Sequence, residues 1–132
     1  MGLFSLAFFH VPLRQEDSKY LCFIWKGRVY QFMVMCFGVK SAPYTFNKLG
    51  KVIKLYFAGF GIRMFIYLDD ILVMATSAEL CRRSAQFVVD TLISLGFYIH
   101  VDKCVLTPSQ SFFFLGFLWD TRLMICSLPV ER

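Results

Sequence analysis

Asp69 and Asp70 are adjacent carboxylates between two apolar runs, Met64-Phe65-Ile66-Tyr67-Leu68 before them and Ile71-Leu72-Val73-Met74 after them. Two like charges this close repel, so ionising both costs free energy unless a cation lies between them. A hairpin turn can hold Asp for backbone reasons, but Asn-Gly or Asp-Gly is the usual choice there. Asp-Asp running directly into Ile71-Leu72-Val73 fits simple turn chemistry poorly. Divalent-metal binding explains it better, because hard carboxylate oxygens hold Mg²⁺ while water and substrate phosphates fill its remaining positions. On the local pattern both readings stay open.

The elements that must position these acids can be read from periodicity. The runs on either side alternate with period 2, which predicts an antiparallel hairpin over residues 61–75 with the acids at its tip and with Ile66 and Leu68 facing away from Tyr67. Upstream, residues 20–25 and 28–34 read as two strands joined at Lys26-Gly27. A helix is expected from an N-cap at Ser41, with Pro43 in its first turn and Gly59 near its stop. Phe46, Leu49, Val52, Ile53, Tyr56 and Phe57 fall on one face of it, and Lys40, Lys48, Lys51 and Lys54 on the other. That lysine stripe reads as a solvated face, or as a contact for nucleic-acid phosphates, with Tyr44 beside it. A second helix is expected over residues 78–95, capped by Ser77 and stopped by Gly96, with Leu80, Phe87, Val88, Leu92 and Leu95 inward. Strands near 97–106, 111–118 and 123–127 complete the chain, and an opening strand precedes the first hairpin. The expected fold class is α+β, an antiparallel sheet with two helices packed on one face.

Bulk properties bound the rest. The 132 residues suffice for one domain, and 58% of them are hydrophobic, which excludes disorder. A mean hydropathy of +0.59 raises a membrane-associated reading. The longest stretch free of charged side chains, Cys104 to Trp119, includes Thr107, Pro108, Ser109, Gln110 and Ser111, so no helical span of about 18 apolar residues exists. The apolar start, Met1 to Leu13, lacks the basic leader of a signal peptide. A net charge of +5 permits a nucleic-acid partner without demanding one. Five cysteines, none in C-x-x-C spacing, and only two histidines argue against structural zinc and for free thiols in a reducing, intracellular compartment. Sixteen phenylalanines point to faces that meet further protein.

Tyr67-Leu68-Asp69-Asp70 resembles the Y-x-D-D box of reverse transcriptases. Upstream, Phe37-Gly38-Val39-Lys40-Ser41-Ala42-Pro43-Tyr44-Thr45-Phe46 is similar to the family's L-P-F-G-x-x-x-A-P-x-x-F segment. Ala7-Phe8-Phe9-His10-Val11-Pro12 resembles the tail of its first catalytic motif. Downstream, Gly96-Phe97 with Asp102-Lys103-Cys104, then Phe114-Leu115-Gly116-Phe117, resemble the G-[FL]…K and F-L-G-x elements. Five elements in order cover nearly the whole chain, and the phrasing looks most like DIRS-like or gypsy-like retrotransposons.

The resemblance implies a polymerase palm with part of the fingers, residues 1–132 forming a single partial domain without thumb or RNase H. It implies an RNA-directed DNA polymerase acting through two Mg²⁺ ions, or Mn²⁺, on a template, a primer and deoxynucleotides. Asp69 and Asp70 would be catalytic metal ligands. Phe8 would exclude a 2′-hydroxyl by clash, and Phe37 and Gly38 would border the incoming nucleotide. Lys103 matches the position that protonates pyrophosphate, and Leu115 and Gly116 would grip the primer beside the lysines of the first helix. Each has a plainer reading too: Phe8 as core, Lys103 as an exposed lysine, Phe114 to Phe117 as a buried strand. Two departures stand out. Leu3 occupies the place of the first catalytic Asp, with no carboxylate before Glu16, and Met35-Cys36 replaces Leu-Pro. The isolated chain is therefore expected to be inactive, and the alternative is a dead remnant that binds nucleic acid or protein.

Overall fold

Backbone bonds near the start of the chain fix the first long-range contact. The Leu13 N–H donates to the Met33 carbonyl at 3.0 Å and the Met35 N–H to the Val11 carbonyl at 2.8 Å, around a bridge between Pro12 and Val34. The computed structural model describes residues 7–129, so the expectation concerning Leu3 lies outside the described residues. Ahead of that bridge Ala7–His10 is a 3-10 turn, and after it Gln15–Ser18 makes one helical turn, α1. The opening strand is absent among the described residues.

Strands β1 (Cys22–Trp25) and β2 (Arg28–Gln31) pair antiparallel, a shorter hairpin than the spacing predicts. Lys26 and Gly27 at its turn have φ of 48° and 73°, the two positive values a type I′ turn needs. All eight strand residues are exposed.

Helix α2 (Ala42–Ala58) starts where expected, but Ser41 is itself αR and makes no side-chain cap bond. Its buried stripe is Ala42, Phe46, Gly50, Ile53 and Phe57. Val52 and Tyr56, expected inward, are 63% and 49% exposed. The reason is a narrow line of contact. A Cβ at Gly50 would stand 3.3 Å from Ile66 Cγ2, so the helix approaches β3 (Arg63–Tyr67) closely at Gly50, and its buried stripe leaves Val52 and Tyr56 to the side.

Strand β4 (Asp70–Met74) pairs with β3 in the register Met64↔Val73, Ile66↔Ile71 and Tyr67↔Asp70. Met64, Ile66, Ile71 and Val73 thus share the face that joins the core with α2 and α3. Helix α3 (Ala78–Ser94) is capped by Ser77, whose hydroxyl accepts from the Leu80 N–H at 3.2 Å, and Gly96 follows at φ 89°. Val88, Val89 and Leu92 are buried there, whereas Leu80, Phe87 and Leu95 are exposed, contrary to the expected stripe. Phe87 lies at the margin, where its ring meets Phe57 and Phe60 edge-on at 5.9 and 5.3 Å.

No strand forms over 97–106 beyond a single bridge residue, Ile99. Local bonds from Lys103 N–H to the His100 carbonyl and from Cys104 N–H to the Val101 carbonyl close a 3-10 turn, Val101–Lys103, and consume the groups a ladder would use. The strand expected over 111–118 is a hairpin instead. β5 (Ser111–Phe114) and β6 (Phe117–Asp120) reverse at Leu115-Gly116, with φ of 52° and 81°, and β7 (Ile125–Ser127) adds to β6. The fold is α+β: three small antiparallel sheets, with α2 against β3 and α3 against β4. Among the described residues no helix is long and apolar enough to cross a membrane.

Candidate active site

The connection between β3 and β4 has two residues, Leu68 and Asp69. Leu68 sits at φ 50°, a left-handed conformation that costs a branched L-residue about 1–2 kcal/mol and suits a tight two-residue hairpin. Asp69 is therefore at the tip, and Asp70 opens β4 opposite Tyr67, on the hairpin face turned away from the helices. Both carboxylates are half-buried, and Asp70 Oδ1 is shielded from solvent. The expected acid-tipped hairpin is present, with Ile66 on the face opposite Tyr67, while Leu68 lies in the turn itself rather than on a strand face.

Phe8 and Phe37 come together, with ring centroids 5.3 Å apart and edge-on, and Phe8 also meets Phe46 at 6.0 Å. Phe8 is half-buried and Phe37 is 61% exposed, so this pair has one packed and one open member. Gly38 follows at φ 88° with nothing within 4 Å of where a Cβ would be, leaving open space beside the pair. One contact had no signal in the sequence. The Tyr98 N–H donates to His10 Nε2 at 2.8 Å, and the His10 ring lies 5.4 Å from that of Phe97. A bond between residues 88 positions apart leaves no local pattern to read.

Lys103 is exposed at the end of the Val101–Lys103 turn. Leu115 and Gly116 form the tip of the β5–β6 hairpin, which Phe114 anchors: its ring meets Phe65 edge-on at 6.0 Å and its carbonyl accepts from the Trp119 indole at 3.0 Å. The plainer reading of 114–117 as one buried strand is thereby corrected. Lys48, Lys51 and Lys54 are exposed on α2, away from its buried stripe, and Lys48 Nζ stands 4.6 Å from the centre of the Tyr44 ring. The helix packs its other side on β3, so these lysines do not gather with the acids. A recess of about 240 Å³ lined by Arg63, Met74 and Thr76 opens at the far end of the β3–β4 hairpin from Asp69.

By donor type Asp69 and Asp70 suit a hard cation. Among the described residues, however, no group of three or more His, Cys, Asp or Glu side chains is placed to hold one. The described donors do not by themselves fit a complete Mg²⁺ site.

Residues 4–118 match the family model described as reverse transcriptase (RNA-dependent DNA polymerase). The chain belongs to the reverse transcriptase family. Protein P of Duck hepatitis B virus (strain China) is 30% identical over 121 residues, which cover 91% of this chain and 15% of that protein. Protein P of Heron hepatitis B virus is 30% identical over 86% of this chain and 14% of its own length. The chain therefore spans about a seventh of the length of these relatives. Among solved structures, a foamy viral protease-reverse transcriptase in complex with an RNA/DNA hybrid aligns with a TM-score of 0.81 at 19% identity, over 97% of this chain and 16% of that one. The α+β fold described above is thus that of the reverse transcriptase palm.

Proposed function

We propose that this chain is the palm, with part of the fingers, of a retroelement RNA-directed DNA polymerase, and that Asp69 and Asp70 are its contribution to the metal site of nucleotidyl transfer. The observation that carries the reading is the two-residue turn that puts Asp69 at a hairpin tip and Asp70 in register with Tyr67. Phe8 beside Phe37, with open space at Gly38, supports a nucleotide pocket in which Phe8 would clash with a 2′-hydroxyl. Lys103 and the Leu115-Gly116 tip are assigned to pyrophosphate and primer on sequence correspondence alone, as is the DIRS-like or gypsy-like origin. Template, primer and deoxynucleotides are the partners of this reading.

Two carboxylates from one hairpin make an incomplete cage, and Mg²⁺ dehydrates reluctantly. The chain is accordingly expected to add no nucleotide when primer, template and Mg²⁺ are supplied. Calorimetric titration with Mn²⁺ tests the reading. Weak binding by the chain should be lost in the double variant Asp69→Asn, Asp70→Asn and tightened in Leu3→Asp. Affinity unchanged by both substitutions would overturn the assignment of the acids.

A further inference from the structure

Helix α3 carries a face that the rest of the chain leaves uncovered. Val88, Val89 and Leu92 are buried in the core, whereas Leu80, Arg83, Phe87, Asp90 and Ser94 are exposed. Their alternating spacing of three and four residues sets those five along the opposite side of the helix. Phe87 is 40% exposed even though its ring packs edge-on against Phe60 at 5.3 Å and Phe57 at 5.9 Å. Phe60 is 57% exposed and in turn meets Tyr56 at 5.2 Å. An apolar patch led by Tyr56, Phe60 and Phe87 thus continues from the end of α2 onto α3. Aromatic residues are enriched in this way where proteins meet one another.

Charge on α3 departs from that of the chain. The chain carries +5, but α3 holds Arg82 and Arg83 against Glu79 and Asp90, an even balance. Glu79 pairs with Arg82 inside the helix at 3.0 Å, and Asp90 accepts from Gln86 Nε2 at 2.8 Å. Arg83 makes no ion pair or hydrogen bond among the described residues. It stands four residues before Phe87, and Asp90 stands three after. Two copies of α3 laid antiparallel and crossing at Phe87 would therefore bring Arg83 of each beside Asp90 of the other, out of step by only about 1.5 Å, the rise of one residue. A parallel pair would set Arg83 on Arg83 and Asp90 on Asp90, and like charges repel. The face is complementary to itself in one direction only.

We propose that this face is a dimer contact, in which α3 packs antiparallel on α3 of a second copy of the chain about a two-fold axis at Phe87. A two-fold contact uses the same patch on both protomers, so the patch must match itself, as the spacing of Arg83 and Asp90 around Phe87 makes it do. Phe87 meets Phe87 at the axis, with Phe60 and Tyr56 flanking, and Leu80 meets the partner's Ser94. The even charge balance sets this face apart from a nucleic-acid contact, which takes a surplus of cations. The contact lies on the helix side of the β3–β4 hairpin, and Asp70 is on the other face, so the acidic tip stays uncovered in the dimer. The inference goes beyond the function proposed above, in which this side of α3 has no part.

Sedimentation velocity of the whole chain is the test. Between about 1 and 100 μM, the range suited to a contact smaller than a standard interface, the 15.4 kDa monomer should convert to a species of twice its mass. Arg83→Asp alone, or Asp90→Arg alone, should weaken dimerisation about tenfold or more, because each sets two pairs of like charge across the axis. The two substitutions in one chain exchange the charges and should restore dimerisation, a recovery that misfolding cannot produce. Trp25→Ser, on the exposed β1–β2 ribbon, should leave the dimer intact. A monomer at every concentration, dimerisation unchanged in the single variants, or failure of the double variant to recover would overturn the proposal. So would a dimer that Trp25→Ser dissolves, because the contact would then lie on the ribbon.

Discussion

Five cysteines report the packing one residue at a time. Cys22 and Cys126 are exposed, Cys36 is buried, and Cys81 and Cys104 are intermediate. The Cys104 thiol donates to the His100 carbonyl at 3.2 Å, and burial pushes its pKa above the ordinary 9.0. The thiolate is the reactive form, so a raised pKa and partial burial both slow its reaction. Iodoacetamide should modify Cys22 and Cys126 first and spare Cys36 and Cys104 until denaturant is added, as peptide mass mapping would show. Early modification of Cys36 would contradict the core. The linkage has a definite sign. A folded pKa above the unfolded value favours the folded state most below pH 9.0, and that advantage is lost as pH rises through the folded value. At the same scale, Leu68 could not be foreseen as a left-handed residue. Leucine carries no preference for φ 50°, and only the tight tip between Tyr67 and Asp70 imposes it.

At the scale of elements, the close approach of α2 to β3 decides how the hairpin is held. Gly50 faces Ile66 closely: a Cβ there would lie 3.3 Å from Cγ2, so a larger side chain would have to push Ile66 aside. Gly50→Val should therefore destabilise the chain by about 1–3 kcal/mol, the usual cost of overpacking, as a lower urea midpoint would show. An unchanged midpoint would mean the helix slides without cost. This contact also explains what was legible in the sequence. The acid-tipped hairpin and both long helices follow from strong periodicity and clear caps or stops. The inward faces were legible only in part, because Ala42 and Gly50 belong to the buried stripe and small residues carry little hydrophobic signal. The β5–β6 reversal was missed for a similar reason. Type I′ turns favour Asn-Gly or Asp-Gly, and Leu115-Gly116 presents an apolar side chain where that signal belongs. Over 97–106, β-branched residues suggested a strand, but local bonds around His100 and Lys103 prevailed.

Across the whole molecule charge and apolar surface are distributed unevenly. Of the eight basic residues between Asp17 and Asp69, Lys26 and Arg28 lie at the turn end of the β1–β2 ribbon and Lys48, Lys51 and Lys54 on the outer side of α2. Exposed Tyr44 and Leu55 lie among the α2 lysines, so that side is amphipathic rather than purely solvated. Cations that meet phosphates release condensed counterions, and the logarithm of affinity then falls linearly with the logarithm of salt concentration, by about 0.7 per contact for single strands. If Lys48, Lys51 and Lys54 each meet one phosphate, changing all three to Gln should lower the slope for oligo-dT by roughly 2. Stability should hardly change, because all three side chains are exposed. Measuring affinity from about 50 to 200 mM salt for the chain and for the triple-lysine variant checks this slope. An unchanged slope in the triple-lysine variant would remove α2 from the nucleic-acid path and leave its lysines as a solvated face.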